Sequence, residues 1–107
     1  MNLIQTGPWS PARDVKEIKR FLSKKHIKKS WMAIAVIRGD KVNPSNRKKI
    51  KKEIEKAKQM AAGIGADGVV LVEKRVTKRT AVFSRNIGKV FIMGIAIKYV
   101  TNEQSKQ

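Results

Sequence analysis

Side chains that carry catalysis or hold a metal are few in this sequence and stand far apart. The chain contains no cysteine and a single histidine, His26, within a lysine-rich stretch. A zinc site or a Ser–His pair is not expected, because both need partner residues at defined spacings. Glu53 and Glu55 are two positions apart on a predicted helix, so they do not face each other as general acid and base. We expect no catalytic residue, no metal and no cofactor, and therefore not an enzyme.

One literal match to the dinucleotide motif G-x-G-x-x-G spans residues 63–68. In a dinucleotide site this motif leaves a strand and opens a helix, so that the helix N-terminus faces the pyrophosphate. Here it follows a predicted helix and enters a predicted strand, where the negative end of the helix dipole disfavours phosphate. We interpret it as a helix stop and tight turn, with Gly65 at positive φ and Asp67 bonded to the local backbone.

The excess of basic residues is the one compositional feature that indicates a binding partner. The 107-residue chain has 25 Lys and Arg against 8 Asp and Glu, and a formal net charge of +17. Five basic residues occupy the first turns of the predicted helix, where the helix dipole is already positive. They form the candidate anion-binding site: Arg47, Lys48, Lys49, Lys51 and Lys52.

Such a surface suits an anionic partner, either lipid headgroups or lipopolysaccharide phosphates. Nucleic acid is the alternative partner, on the charge alone. Against it, the six aromatic residues lie within apolar runs rather than in a stacking platform, and no sequence signature of an RRM, KH or zinc-finger module is present. A further alternative is a basic surface that supports solubility and binds nothing.

Apolar periodicity predicts the elements that position these residues. They are a strand at 31–37, a helix at 44–64, and strands at 68–74 and 90–99. Asn43 and Pro44 suit the N-cap and first residue of the helix. Residues 15–22 fit a helix or a strand, and we favour a strand over 17–22. One apolar stripe recurs at helical spacing: Ile50, Ile54, Ala57, Ala61 and Ile64.

Together these elements predict an α+β fold in the order β-β-α-β-β, with a small mixed four-stranded sheet and one helix packed on one face. The strands flanking the helix should run parallel as a right-handed crossover, and the last two should form an antiparallel hairpin. The other sheet face should stay partly open. Residues 1–13 are expected to be an extended N-terminal arm anchored by Trp9, residues 14–100 a single domain, and residues 101–107 a disordered polar tail.

No targeting segment is predicted. The N-terminus lacks the cationic lead and long apolar run of a signal peptide. The longest apolar stretch, residues 90–97, is too short for a membrane-spanning helix, which needs about 20 residues. As written, the chain is expected to be soluble and cytoplasmic. A signal removed upstream would instead place it on the periplasmic face of the bacterial envelope.

Four segments resemble a family of small bacterial envelope lipoproteins. Residues 11–23, PARDVKEIKRFLS, are similar to the family's opening strand, and residues 31–39, WMAIAVIRG, to its second. The strongest similarity covers residues 57–72, where a helix ends in MAAGIGADGVVLV, and GIAIKY at 94–99 resembles the closing strand.

Related folds include the Rcs stress-sensor lipoprotein and the YbjQ-like domains. The resemblance implies a β-β-α-β-β domain in the cell envelope, outer membrane or periplasm, with a signalling or binding role and no catalytic residues to carry over. An envelope protein is then a candidate partner. The Rcs sensor's cysteines are absent here, so a mechanism that depends on disulfides is not implied for this chain.

Overall fold

The longest apolar stretch of the chain, residues 90–97, lies in the central strand of a mixed β-sheet. The computed structural model describes residues 1–100. A strand that is apolar on both faces is stable where neighbouring strands and packed side chains shield it from water. The elements are β1 (Asn2–Gln5), β2 (Lys19–Phe21), β3 (Trp31–Arg38), α1 (Arg47–Gly63), β4 (Gly68–Arg75) and β5 (Val90–Tyr99). The predicted tail at 101–107 lies outside the described residues.

The sheet has the strand order β1-β3-β5-β4-β2. β5 pairs antiparallel with β3 and with β4, which confirms the predicted hairpin of the last two strands. β1 pairs antiparallel with β3, and β2 pairs parallel with β4. β3 and β4 therefore run in the same direction, as predicted, but β5 lies between them. The strand–helix–strand unit thus crosses over a strand that comes later in the chain.

The sheet contains five strands, so the prediction of four was one too few. The added strand, β1, lies within the segment predicted to be an extended arm, and Leu3 pairs with Ile37 of β3. Ile4 is 60% exposed, whereas Leu3 packs against the main core, so the strand is held by backbone hydrogen bonds to β3 and by apolar contact on one face. Trp9 anchors the same segment, because its indole N–H donates to the carbonyl of Ile34 at 2.9 Å.

The helix begins at Arg47 rather than at residue 44. Its N-cap is Asn46, whose side chain accepts a hydrogen bond from the N–H of Lys49 at 3.2 Å. The predicted cap, Asn43, instead accepts bonds from the N–H and the hydroxyl of Ser45, at 3.1 and 2.9 Å. The side chain of Asn43 therefore closes a turn over residues 43–45, and Pro44, which lies within this turn, stays outside the helix.

The glycine motif ends the helix, as predicted. The N–H of Gly65 donates to the carbonyl of Ala62 at 3.1 Å and that of Ala66 to Ala61 at 3.0 Å, the paired bonds of a Schellman motif. Gly65 has a φ of +78°, a conformation that glycine adopts without steric cost. A Cβ there would lie 2.6 Å from Cβ of Ser10, so the close approach of the N-terminal segment also requires glycine.

The main core lies between α1 and one face of the sheet. The predicted apolar stripe of the helix is confirmed, because Ile50, Ala57 and Ala61 are buried and pack with Ile34 and Leu71 of the sheet. A smaller buried cluster lies on the other sheet face, consisting of Phe21, Val70 and Ile97. Within residues 1–100 no helix covers that face, in accord with the partly open face predicted from the sequence.

The segment predicted as a strand over 17–22 is a strand only at Lys19–Phe21. A 3-10 turn, Val15–Glu17, precedes it, and the side chain of Asp14 caps this turn by accepting from the N–H of Lys16 at 3.0 Å. Glu17, the first residue of the predicted strand, belongs to this turn, so β2 has only three residues. β2 therefore pairs with only the first three residues of β4.

Candidate anion-binding site on helix α1

The charged side chains of α1 project away from the sheet because its apolar stripe faces the core. Ile50 and Ala57 are 2% and 0% exposed, and the residues between and beside them turn outward with the helical period. All five residues of the predicted site are exposed. The structure therefore places them on the outer surface of one helix, but it does not bring all five into one site.

Arg47 forms an ion pair with Glu73 of the sheet. Its guanidinium NH2 group lies 3.2 Å from Oε1 of Glu73 on β4, and its NH1 group lies 3.5 Å from Oε2 of the same carboxylate. This two-point contact fits the planar fork of arginine. Arg47 thus links the first turn of α1 to the sheet, and its charge is largely compensated by Glu73.

The lysines of the predicted site line two adjoining concavities. Lys48, Lys49 and Lys52 line a cavity of about 380 Å³ at the start of the helix, together with Lys56. Lys51 lines a second, shallower cavity of about 490 Å³ that shares Lys48, Lys52 and Lys56 with the first. The shared lysines make the two cavities one continuous basic surface along the helix.

We call this surface the α1 lysine face and define it by five residues: Lys48, Lys49, Lys51, Lys52 and Lys56. It differs from the sequence prediction by the loss of Arg47 and the gain of Lys56. Lys56 follows Lys52 by four positions, so helical spacing alone places the two side by side. The prediction missed it because it considered only the first turns of the helix.

A buried carboxylate lies beneath the α1 lysine face. Glu53 is 3% exposed, which is unusual for a charged side chain. It stands three positions after Ile50 and four before Ala57, so it belongs to the inward stripe by spacing. Its Oε1 accepts the backbone N–H of Asp40 at 2.8 Å, and its Oε2 lies 4.0 Å from Nζ of Lys56.

Asp40 brings a second carboxylate to the same cavity. Its Oδ1 accepts a hydrogen bond from the N-terminal ammonium group of Met1 at 3.2 Å. Two carboxylates therefore line the first cavity, and Glu55 is the one that lines the second. Five lysines face these three carboxylates, and the charge of Asp40 is shared with Met1, so the face keeps a positive surplus.

Lysine ammonium groups determine what this face does chemically. Each is a compact charge with three hydrogen-bond donors and no acceptor, which suits the oxygens of phosphate and sulfate groups. The N-terminal half of the helix adds the positive end of its dipole. The arrangement is therefore suited to binding anions.

A second polar cluster joins the other end of α1 to the sheet. Asp67 Oδ2 accepts the N–H of Tyr99 at 2.8 Å, while its Oδ1 pairs with the guanidinium of Arg13. Arg13 also donates to Glu17 at 3.0 Å, and this hydrogen bond, with the nearby charge of Asp67, raises the pKa of Arg13. Asp67 thus bonds backbone 32 residues away, not the local backbone as predicted, and acts as a structural anchor.

The single histidine and the acidic side chains do not form a catalytic or metal site among the described residues. His26 ends the 3-10 turn Lys24–His26 and is exposed. Among the described residues there is no group of three or more His, Cys, Asp or Glu side chains placed to hold a metal ion. Within residues 1–100, no helix combines the length and apolar character needed to cross a bilayer.

Comparison with known proteins identifies the fold. No protein-family model and no curated protein sequence matches the chain. A crystal structure of the Francisella virulence factor FvfA superimposes with a TM-score of 0.54 and 17% sequence identity, over 89% of this chain and 93% of that one. At this identity the similarity concerns the fold alone, and the resemblance to envelope lipoproteins stays a prediction. The chain thus shares an α+β fold with a virulence factor of known structure.

Proposed function

We propose that this chain is a non-enzymatic binding domain whose α1 lysine face attaches to a phosphate-bearing anionic surface. One observation carries the proposal. Five lysines share one side of a single helix, and within residues 1–100 the ion pairs of this face are limited to Lys56 with Glu53 at 4.0 Å. Uncompensated like charges repel each other, and a bound anion removes that repulsion.

The shape of the face favours an extended partner over a single small anion. Its two cavities are shallow and open into each other through shared lysines. Lys48 and Lys56 are eight positions apart, which spans about 12 Å along a helix. That distance exceeds the reach of one phosphate group, so the face fits several phosphates presented side by side, as on the surface of an anionic membrane.

Anionic lipid headgroups or lipopolysaccharide phosphates are the partners we favour. Each lysine near an anionic membrane contributes about 1 kcal/mol to attachment, so five of them give useful affinity without an inserted apolar helix. The resemblance to envelope lipoproteins supports the same setting, on the periplasmic face of the bacterial envelope. A signalling role there, with an envelope protein as further partner, forms part of this proposal.

Vesicle co-sedimentation tests the proposal with a matched pair of triple variants. The first, Lys48→Gln/Lys51→Gln/Lys52→Gln, removes three charges from the α1 lysine face. The second, Lys16→Gln/Lys28→Gln/Lys78→Gln, removes three exposed lysines outside α1. We expect the first to weaken binding to phosphatidylglycerol-containing vesicles about 100-fold and the second less than about tenfold.

The same two variants separate the proposal from its alternatives. Equal weakening by both would show that net charge alone drives attachment, which contradicts a site on α1. Titration with duplex and single-stranded DNA or RNA at about 50 and 200 mM salt covers the nucleic-acid alternative. Tight, salt-sensitive binding of nucleic acid, with no attachment of the wild-type protein to vesicles, would replace lipid by nucleic acid as the partner.

A further inference from the structure

One edge of the sheet is only partly covered. β2 has three residues and pairs with the first three of β4, from Lys19 opposite Gly68 to Phe21 opposite Val70. Residues 71–75 of β4 pair with β5 on one side. Among the described residues, no residue of another strand is paired with them on the other side. We call residues 71–75 the open β4 edge.

An apolar groove of about 520 Å³ runs beside the open β4 edge. Val70 and Val72 of β4 form its floor with Met93 and Ile95 of β5. Leu22, which follows β2 directly, forms a wall and is 63% exposed. The groove lies on the sheet face opposite α1, because Val70 belongs to the cluster packed on that second face. It is therefore separate from the α1 lysine face.

The groove is basic as well as apolar. Lys24, Lys25 and Lys74 line it, and no acidic residue does. Glu73, the acidic residue on the open β4 edge, pairs with Arg47 of α1 and so faces the other side of the sheet. An occupant of the groove therefore meets apolar walls and three ammonium groups.

We propose that the open β4 edge binds an extended acidic peptide segment of a partner protein, which adds a strand beside residues 71–75. Backbone groups at a sheet edge bond a further strand, while pockets beside the edge accept alternate side chains. Successive side chains of a strand point to opposite faces of the sheet, so only alternate side chains of the segment face the groove. These groove-facing side chains are apolar over the floor of the groove and acidic where they meet Lys24, Lys25 and Lys74.

The charges on this edge determine which strand it accepts. Lysines on a sheet edge discourage pairing with another copy of the same chain, and here each copy carries a net charge of +17. A second copy is therefore disfavoured, whereas an acidic segment is attracted. An acyl chain would fill the apolar groove, but it has no hydrogen-bond donors or acceptors for the backbone of the open β4 edge. A peptide fills the groove and also forms hydrogen bonds with that backbone.

Calorimetric titration with an acidic peptide about ten residues long tests the proposal. The alternate positions of the peptide that face the groove carry valine and glutamate in turn, and the positions between them carry threonine. We expect it to bind at least about tenfold more tightly than the same peptide with lysine in place of glutamate. A third peptide, with the acidic sequence and an N-methyl group on every residue, cannot donate strand hydrogen bonds to the edge, and its binding should be weaker to a similar extent. Equal binding of all three would overturn strand addition.

Amide hydrogen exchange and two variants locate the bound peptide. Saturation with the acidic peptide should slow exchange within residues 71–75 by about tenfold or more. Leu22→Glu places a like charge in the groove at an exposed position and should weaken binding about tenfold. Val82→Glu is the control, since Val82 is 82% exposed and outside the groove. Protection confined to other strands, or equal effects of both variants, would contradict the site.

Discussion

The backbone N–H of Asp40 donates a hydrogen bond to Oε1 of Glu53 at 2.8 Å. This bond ties the loop after β3 to the second turn of α1. The Glu53 side chain is 4% exposed, so little water is available to replace the bond. Glu53 thereby fixes the start of α1 against the sheet, and the lysines that surround it keep a defined position.

Loss of the Glu53 carboxylate should destabilise the fold. Glu53→Ala removes a buried acceptor and leaves the N–H of Asp40 without a partner, which costs about 2 kcal/mol. Glu53→Gln keeps an oxygen for the same bond and should cost less than about 1 kcal/mol. Urea unfolding of both variants measures the difference. Equal losses would show that the carboxylate charge, rather than the hydrogen bond, provides the stability.

Two glycines of the motif at 63–68 should respond in opposite ways to the same substitution. Gly65→Ala combines a positive φ with a contact of 2.6 Å to Cβ of Ser10 and should destabilise by about 1–3 kcal/mol. Gly63→Ala adds a Cβ with no atom within 4 Å and should stabilise by about 0.5–1 kcal/mol through helix propensity. Thermal unfolding distinguishes them, and a neutral Gly65→Ala would contradict the turn geometry.

Arg13 and Asp67 should show a measurable coupling. The pair is partly exposed, with side-chain exposures of 34% and 20%, so a double-mutant cycle with Arg13→Gln and Asp67→Asn should show a favourable coupling. The pair of Arg13 with Glu17, whose side chain is 56% exposed, should show a clearly smaller coupling, because water screens it more. A coupling to Glu17 equal to that with Asp67 would contradict the anchoring role of Asp67.

The pH dependence of this coupling follows from the raised pKa of Arg13. Because the pKa of Arg13 is higher in the folded chain than in the unfolded chain, the charged guanidinium stabilises the fold throughout the neutral range, and this effect is lost only as pH rises through the folded-state pKa. The coupling should therefore stay constant between about pH 6 and pH 9, because the guanidinium of Arg13 keeps its charge across that range. Unfolding at the two ends of this range measures it, and a marked decline by pH 9 would contradict the assignment.

Removal of lysines from the α1 lysine face should stabilise the free protein at low salt. Lys48→Gln/Lys51→Gln/Lys52→Gln removes like-charge neighbours at helical spacing, each worth about 0.2–0.5 kcal/mol. We expect a gain of about 0.5 kcal/mol at about 10 mM salt that fades near 300 mM, because salt screens the repulsion. Thermal unfolding in a buffer without phosphate measures it. A variant less stable than wild type at low salt would show that these lysines do not repel each other.

Secondary-structure features that depend on residues a few positions apart in the sequence were predictable. The strand at 90–99 and the helix stop at Gly65 depend on apolar periodicity and on turn chemistry within a few positions. The start of α1 was misplaced because Asn43 and Asn46 both suit a cap. Which one caps the helix depends on the turn that Asn43 makes with Ser45.

Strand pairings and ion pairs between residues far apart in the sequence were not predictable from local patterns. β1 pairs with residues that lie 30 to 36 positions further along the chain, and its own four residues give little apolar pattern. Arg47 left the predicted site because Glu73 lies across from it on β4. The burial of Glu53, by contrast, is visible in the sequence, because its spacing from Ile50 and Ala57 places it on the inward stripe of the helix.

Backbone NMR titration with small bicelles that contain phosphatidylglycerol tests the central claim most directly, because they present several phosphates side by side. Amide signals of residues 48–56 should shift first and saturate together, and the shifts should vanish in Lys48→Gln/Lys51→Gln/Lys52→Gln while persisting in Lys16→Gln/Lys28→Gln/Lys78→Gln. Shifts spread evenly over all basic segments, or centred on residues outside α1, would contradict an anion-binding site on this helix.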